Sequence, residues 1–219
     1  MLMPNHKFLR VSLLLKTFAI LVFCQSCTWL EPSVETGAVL FQDDFSRVAS
    51  GWDRYKDDTY VADYDDGAYR IGIFTPETSA WARPHLEFSD VHIQVSATKA
   101  DGSDNNVFGV LCRYQDAQNF FFFLISSDGY CGIGVYRDGV ETLMSGDSML
   151  PSKAILQGST TNIIQAECIG DLLTLYINGV QEVQVQTTEW SQGDVGLIAG
   201  TYTQPGTEIL FERFSVIKP

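Results

Sequence analysis

The chain has little positive charge and little histidine. Its 219 residues contain 14 Lys and Arg against 27 Asp and Glu, a formal net charge of −13, and only three histidines. Lys and Arg form no cluster, which argues against nucleic acid and anionic membrane surfaces as partners. His85 and His92 are the only histidines after residue 38, which leaves little for a zinc site. No Ser-His-Asp set stands out.

Helical periodicity is also lacking after the first 27 residues, where no segment combines a sustained 3.6-residue period with caps. Short alternating or apolar runs are instead separated by turns rich in Asp, Asn, Ser and Gly. This pattern is typical of β-strands. It predicts one all-β domain over residues 39–219, with roughly a dozen short strands in a sandwich or barrel.

The amino terminus has the pattern of a secretory signal. Lys7 and Arg10 precede an apolar run, Val11–Phe23, which only Lys16 interrupts. We predict a signal peptide over residues 1–26. The alternative, a transmembrane helix, would need roughly 20 apolar residues, more than this run offers.

The end of this segment resembles a bacterial lipoprotein signal. The small residue Ser26 precedes Cys27, although Cys24 stands where that pattern prefers Leu. The resemblance implies lipidation of Cys27, a tether over residues 27–38, and a protein exported to the cell envelope or cell surface that touches the membrane only through its lipid anchor. Plain secretion is the alternative. A redox or metal pair formed by Cys24 and Cys27 is a further one.

A predicted three-stranded meander over residues 108–139 organises the domain. Its turns lie at residues 116–119 and 126–129, and its middle strand contains four consecutive phenylalanines, Phe120 to Phe123. Such a strand must be covered on both faces, so we expect it inside a sheet between two layers. The dipeptide Asn178-Gly179, which lies between two alternating apolar runs, predicts a tight hairpin. Side-chain parity across this hairpin predicts a bulge or a longer loop between Val180 and Val183.

Three cysteines follow the signal segment, and an exported protein can keep disulfides. By alternation, Cys112 shares the core face of its strand with Tyr114, and Cys168 shares a core face with Ile164. We therefore predict a Cys112–Cys168 disulfide. Cys131 is expected to be a buried free thiol.

Several motifs, in their order, resemble the concanavalin A-like lectin/glucanase jelly roll, including its laminin-G-like branch. They are Asp43-Asp44-Phe45, Gly51-Trp52, the meander, Leu173-x-Leu175-x-Ile177-Asn178-Gly179, Val195-Gly196-Leu197 and Phe211–Val216. The resemblance covers residues 39–219 and implies a two-sheet antiparallel sandwich with adjacent terminal strands. It also implies a concave sheet that often carries a carbohydrate site. The fold does not by itself imply an activity.

Enzymatic relatives of the laminarinase type place two or more carboxylates on one strand, in the pattern Glu-x-Asp-x-Glu or with one more residue. Glu208 to Glu212 is the nearest match here, but Leu210 occupies the central position. We interpret this segment as an exposed strand face rather than a catalytic pair.

Calcium is a candidate cofactor because hard cations are bound by several oxygen ligands from loops. The candidate ligands are Asp57, Asp58, Asp63 and Asp65, with a second oxygen-rich loop at residues 101–106. Neither stretch follows the EF-hand spacing. Asp and Asn also occur in loops simply because they suit turns.

For ligand binding, alternation places Arg113 on the open face of the meander sheet. We predict a concave site formed by Trp81, Arg83, Asn106, Arg113 and Tyr130. The alternative for Arg113 is an ion pair with a nearby Asp. The sequence thus predicts a surface-anchored, non-catalytic module for carbohydrate or another extracellular polymer. The alternatives are a structural or adhesion module for a partner protein and a glycosidase-like enzyme.

Overall fold

The structure is a computed structural model that describes residues 36–219. The predicted signal peptide, Cys27 and most of the tether lie outside the described residues. Within them no residue is helical, and sixteen strands follow one another along the chain. The strands are β1 (Val39–Asp43), β2 (Tyr55–Lys56), β3 (Tyr60–Asp65), β4 (Ala68–Ile73), β5 (Ser79–Ala82), β6 (Val91–Asp101), β7 (Asn106–Asp116), β8 (Asn119–Ile125), β9 (Tyr130–Arg137), β10 (Val140–Leu143), β11 (Leu150–Pro151), β12 (Asn162–Ile169), β13 (Leu172–Ile177), β14 (Val180–Gln186), β15 (Asp194–Thr201) and β16 (Thr207–Ile217).

The strands form two antiparallel sheets packed face to face. The nine-stranded sheet has the order β14-β13-β12-β6-β16-β4-β3-β2, with β1 paired to β16. The seven-stranded sheet has the order β10-β9-β8-β7-β15-β5, with β11 paired to β9. The pairing of β1 with β16 confirms that the first and last strands are neighbours.

The phenylalanine strand β8 lies between β7 and β9, and all four phenylalanines are fully buried. Phe121 and Phe123 enter the core between the sheets, whereas Phe120 and Phe122 belong to a second apolar cluster on the outer face of the seven-stranded sheet. A Cβ on Gly134 would lie 2.2 Å from the Phe122 ring, so this glycine makes room for it. The prediction that both faces are covered is confirmed, but the expectation of two covering layers is wrong: within residues 36–219 the outer face is covered by side chains of its own sheet and of the adjoining segment.

The predicted hairpin and its bulge are also confirmed. Asn178 and Gly179 have φ of 51° and 82° and connect β13 to β14. Leu175 pairs with Val183 and Tyr176 with Gln181, which leaves Glu182 as the extra residue. The bulge restores the apolar face, because it returns Val183 to the core side.

A disulfide joins the two sheets, as predicted. Cys112 on β7 is bonded to Cys168 on β12, which lies 56 residues further along the chain. Cys131 is a buried free thiol on β9, which confirms the third cysteine prediction. Burial raises the pKa of the Cys131 thiol to about 11.

Removal of the disulfide is expected to lower stability strongly. Cross-linking a loop of this length lowers the conformational entropy of the unfolded chain, which stabilises the folded protein by about 4 kcal/mol. The double variant Cys112→Ala/Cys168→Ala should therefore unfold at much lower urea concentration than the wild type. Cys131→Ala, which removes a buried sulfur but no cross-link, is the control and should lose less. Coincident urea curves for the oxidised and the reduced wild type would contradict this expectation.

The free thiol should be inert in the folded protein. A thiol reacts through its thiolate, and at pH 8 a thiol with a pKa of about 11 is almost entirely protonated. Iodoacetamide should modify Cys131 only after urea unfolding, as followed by mass spectrometry of its peptide. Rapid labelling of that peptide in the native protein would show that the thiol is accessible.

Candidate functional site

The outer face of the seven-stranded sheet is concave. Trp81 on β5 and Tyr136 on β9 lie four strand positions apart, which in a flat sheet is about 19 Å. Their ring centroids are nevertheless 6.1 Å apart. Trp81 also reaches Phe120 of β8, at 5.2 Å between centroids. The side chains of distant strands therefore converge, and the sheet curves toward this face.

A stack of aromatic rings forms the floor of the concave face. The Phe120 ring lies between Tyr114 and Tyr136, with centroid distances of 5.3 Å and 4.8 Å and interplanar angles of 23° and 19°. Trp81 packs over this stack, tilted by 53° to Phe120. Phe120 is fully buried, whereas the other three rings are half-buried and present part of their surface to solvent. The stack fixes their positions, because each ring is held by its neighbours.

Glycines on β15 allow this packing. Gly196 and Gly200 alternate with Ile198 on the outer face. A Cβ on Gly196 would lie 2.3 Å from the Ala82 carbonyl oxygen, and one on Gly200 would lie 2.6 Å from the Ser79 hydroxyl. Larger residues at these positions would displace β5, the strand that carries Trp81.

Charged groups lie at one end of the floor. The Arg83 guanidinium carbon is 4.0 Å from the centroid of the Tyr114 ring, a cation–π contact. Its Nη1 donates to Asp194 at 3.1 Å, and its Nε lies 3.7 Å from Asp53. His85, in the left-handed region with φ 60°, has its Nε2 2.7 Å from the other Asp53 oxygen. Burial raises the pKa of Asp194 despite this ion pair.

Trp81 also lines a pocket of about 290 Å³ beyond the sheet edge. Its far wall is a stacked tyrosine pair, Tyr55 and Tyr60, with centroids 4.5 Å apart. Asp53 and Arg54 add polar groups to the lining. Trp81 therefore contacts the aromatic floor and also lines a pocket with hydrogen-bonding groups.

The structure brings together only two of the five predicted ligand residues, Trp81 and Arg83. Asn106 is fully buried, and its amide donates to the Ser103 carbonyl at 2.8 Å and the Ser127 hydroxyl at 3.0 Å. These hydrogen bonds connect the loop before β7 to the turn after β8, and the Asn106 side chain does not reach the concave surface. Tyr130 is 43% exposed, but it lies at the other end of the concave face.

The prediction that Arg113 lies on the open sheet face is wrong. A bulge between Cys112 and Asp116 interrupts the pairing with β8, and Arg113 takes the left-handed φ of 50°. Its side chain is buried, donates to the carbonyls of Gly170 and Trp190, and pairs with Asp90 at 3.4 Å. The structure shows the alternative interpretation of Arg113, an ion pair with a nearby Asp. Burial lowers the pKa of Arg113.

The same bulge corrects the position of Tyr114. Strict alternation assigned it to the core face beside Cys112, but it packs on the outer cluster and stacks on Phe120. Sequence reasoning also missed Tyr136, although its parity on β9 is opposite to that of the core residues Ile133 and Val135. This alternation along β9 was the sequence signal that could have identified Tyr136.

The calcium candidates do not converge. Asp57 accepts hydrogen bonds from the backbone of Thr59 and Tyr60, and Asp63 is bound by Arg54 at 2.6 Å. Asp58 and Asp65 are exposed. Within residues 36–219 no three or more His, Cys, Asp or Glu side chains are grouped so that they could hold a metal ion. Calcium binding stays a prediction.

The carboxylates of the glucanase-like segment lie on the other sheet. Glu208 and Glu212 belong to β16 of the nine-stranded sheet, and Glu208 pairs with Arg70. A carboxylate that does approach the aromatic floor is Glu141, which accepts a hydrogen bond from the Tyr136 hydroxyl at 2.9 Å.

No protein-family model and no curated protein matches the chain. Solved structures match its fold. A carbohydrate-binding module, CBM66 from Bacillus subtilis, has a TM-score of 0.61 at 15% identity, covering 77% of this chain and 96% of its own. A protein of unknown function with a galectin-like fold, also from Bacillus subtilis, has 0.60 at 10%, covering 84% and 97%. The catalytic domain of an endo-1,3-β-glucanase (laminarinase) from Thermotoga petrophila has 0.57 at 13%, covering 84% and 99%. These likenesses show the fold alone: the chain is a two-sheet jelly-roll sandwich of the concanavalin A-like type, as the sequence motifs implied.

Proposed function

We propose that this protein binds carbohydrate at the concave face, with Trp81 as the principal contact. The observation that carries the proposal is a half-buried tryptophan fixed on a preformed aromatic stack. Sugars present apolar C–H faces that pack on flat rings, and a ring that is already ordered loses little entropy on binding. Ligand pockets combine such apolar surface with a few polar groups. Asp53 and Arg54 supply them beside Trp81.

The charge of the chain favours a neutral polymer over an anionic one. The formal net charge is −13, and the main cation at the floor, Arg83, is engaged by Asp194 and Asp53. An anionic polysaccharide would be repelled by the whole molecule without meeting an uncompensated arginine at the floor. The preferred ligand class is therefore an uncharged polysaccharide.

We favour binding without hydrolysis. Glycoside hydrolysis requires two carboxylates that face one cleft. Glu208 and Glu212 belong to the other sheet, Glu141 is engaged by a tyrosine hydroxyl, and both carboxylates at the end of the floor, Asp53 and Asp194, are paired with Arg83. The structural neighbours include both a carbohydrate-binding module and a glucanase catalytic domain, so the fold is compatible with either role.

The proposed setting is the cell surface. Lipidation of Cys27 would leave the carbohydrate site on a tether outside the membrane. A Cys27→Ser variant should lose incorporation of a labelled fatty acid and move from the membrane to the soluble fraction of the cells. Unchanged labelling would refute Cys27 as the attachment point, and absence of label from the wild type would favour plain secretion.

Replacement of Trp81 should abolish most of the affinity. The protein is first screened on an array of neutral and anionic polysaccharides, and the best neutral ligand is then titrated by calorimetry. Trp81→Ala should weaken binding at least about tenfold, because a few large aromatic contacts supply most of the binding free energy of an interface. Phe74→Ala is the matched control, since Phe74 is exposed, at 38%, but lines none of these pockets.

Two results would contradict the proposal. Failure of the wild type to bind any glycan would favour the alternative of an adhesion module for a partner protein. Release of reducing ends from the bound polysaccharide would show an enzyme, and its loss in Glu141→Gln would place the chemistry at the concave face.

A further inference from the structure

A second aromatic pocket lies at the opposite end of the concave face. Tyr130 and Tyr202 are 43% and 42% exposed and line one pocket of about 410 Å³. Tyr130 opens β9, and Tyr202 directly follows β15, so the two rings come from segments far apart in sequence. Large exposed aromatic side chains that converge on one pocket mark a binding surface more often than isolated ones do.

Strand parity places Tyr130 on the face that carries Trp81, and the contact of Tyr202 with Met149 places its hydroxyl on the same face. Tyr130 has the parity of Tyr136, at the other end of β9, and Tyr202 has the parity of Ile198 on β15. Ile198 pairs with Trp81. Tyr202 is four residues beyond Ile198, which corresponds to about 13 Å along the strand.

The floor of the second pocket is apolar and its rim is polar. Leu143 and Met149 pack on the outer cluster of the sheet, and the Tyr202 hydroxyl donates to the Met149 sulfur at 3.6 Å. A Cβ on Gly132 would lie 3.3 Å from Leu143 and 3.7 Å from Met149. The absence of a side chain at Gly132 therefore allows these two residues to pack closely on β9. Asn105, Ser126, Asp128 and Ser148 complete the lining.

Polar groups accompany the aromatic residues of the concave face. The Tyr136 hydroxyl, whose ring belongs to the floor under Trp81, donates to Glu141. Burial raises the pKa of Tyr136 and of Tyr202, and the charge of Glu141 contributes to both rises. A ligand on this face would therefore meet hydrogen-bonding groups beside the rings.

We propose that the Tyr130–Tyr202 pocket is a second carbohydrate subsite, so that the protein holds an unbranched neutral polysaccharide along its length rather than by its end. The inference rests on the proposed function at Trp81. Ring contacts span 4.5–7 Å between centroids, so one sugar unit that lies against Trp81 would not also contact a ring about 13 Å further along the strand direction. Occupying both positions with one chain raises affinity, since the second contact becomes intramolecular.

The test is a titration of the wild type with oligosaccharides of increasing length from the ligand found on the array. Short oligomers should bind through Trp81, with an affinity that Tyr202→Ala leaves unchanged. Long oligomers should bind the wild type more tightly, and Tyr202→Ala and Tyr130→Ala should each remove about tenfold of that gain. Tyr202→Phe keeps the ring and should keep the gain. Chemical reduction of the chain end should not alter binding.

The outcomes separate this inference from the proposed function. If long and short oligomers bind equally, or if Tyr202→Ala and Tyr130→Ala bind long oligomers like the wild type while Trp81→Ala does not, the second subsite is refuted and the Trp81 site stands. If Trp81→Ala binds all oligomers like the wild type, both fail. Thermal melting of each variant shows whether it is folded, and Phe74→Ala again controls for the loss of an exposed ring.

Discussion

The structure depends on the need to bury β8 on both faces. Four consecutive phenylalanines point alternately to opposite sides of one sheet, and all four are fully buried. The nine-stranded sheet covers Phe121 and Phe123, but within residues 36–219 no third layer covers Phe120 and Phe122. The outer face is instead covered by the sheet's own curvature, which brings Trp81, Tyr114 and Tyr136 together, and by Leu143 and Met149. The concave surface is thus a consequence of the phenylalanine run.

Covering the outer face in this way uses most of the aromatic ring surface on that face for packing. Both faces of Phe120 are taken by tyrosines, and the face of Tyr114 is shared with Arg83. Rings that line a pocket lie at the margins, Trp81 at one edge and Tyr130 and Tyr202 at one end. Ligand contacts are therefore expected at the margins of the concave face rather than at its centre. The buried stack contributes rigidity, which reduces the entropic cost of binding.

Alternation along single strands predicted much of the fold. It was sufficient for the meander, for the bulged hairpin after Asn178 and for the disulfide, because each depends on which side of a regular strand a residue faces. Curvature could not be predicted in this way. The contact between Trp81 and Tyr136 joins strands that are not neighbours, and it results from the shape of the whole sheet. The calcium candidates failed to converge for a local reason, since Asp57 and Asp63 are used by nearby donors.

The wrong placements of Arg113 and of Tyr114 have one physical cause. After Cys112 the strand is fixed by the disulfide, and the extra residue of the bulge inverts the parity of the next residues along β7. Arg113 turns toward the carbonyls of Gly170 and Trp190, and Tyr114 takes its place on the outer face. This exchange removes a cation from the concave surface and supplies the ring that completes the stack on Phe120. Without the bulge, strict alternation would put an uncovered Arg113 beside Phe120 and bury the Tyr114 hydroxyl in the core, where it would require a hydrogen-bond partner. The bulge therefore completes the aromatic stack and keeps a second arginine off the floor, where Arg83 is already paired with Asp194 and Asp53, and this favours a neutral polymer as the ligand.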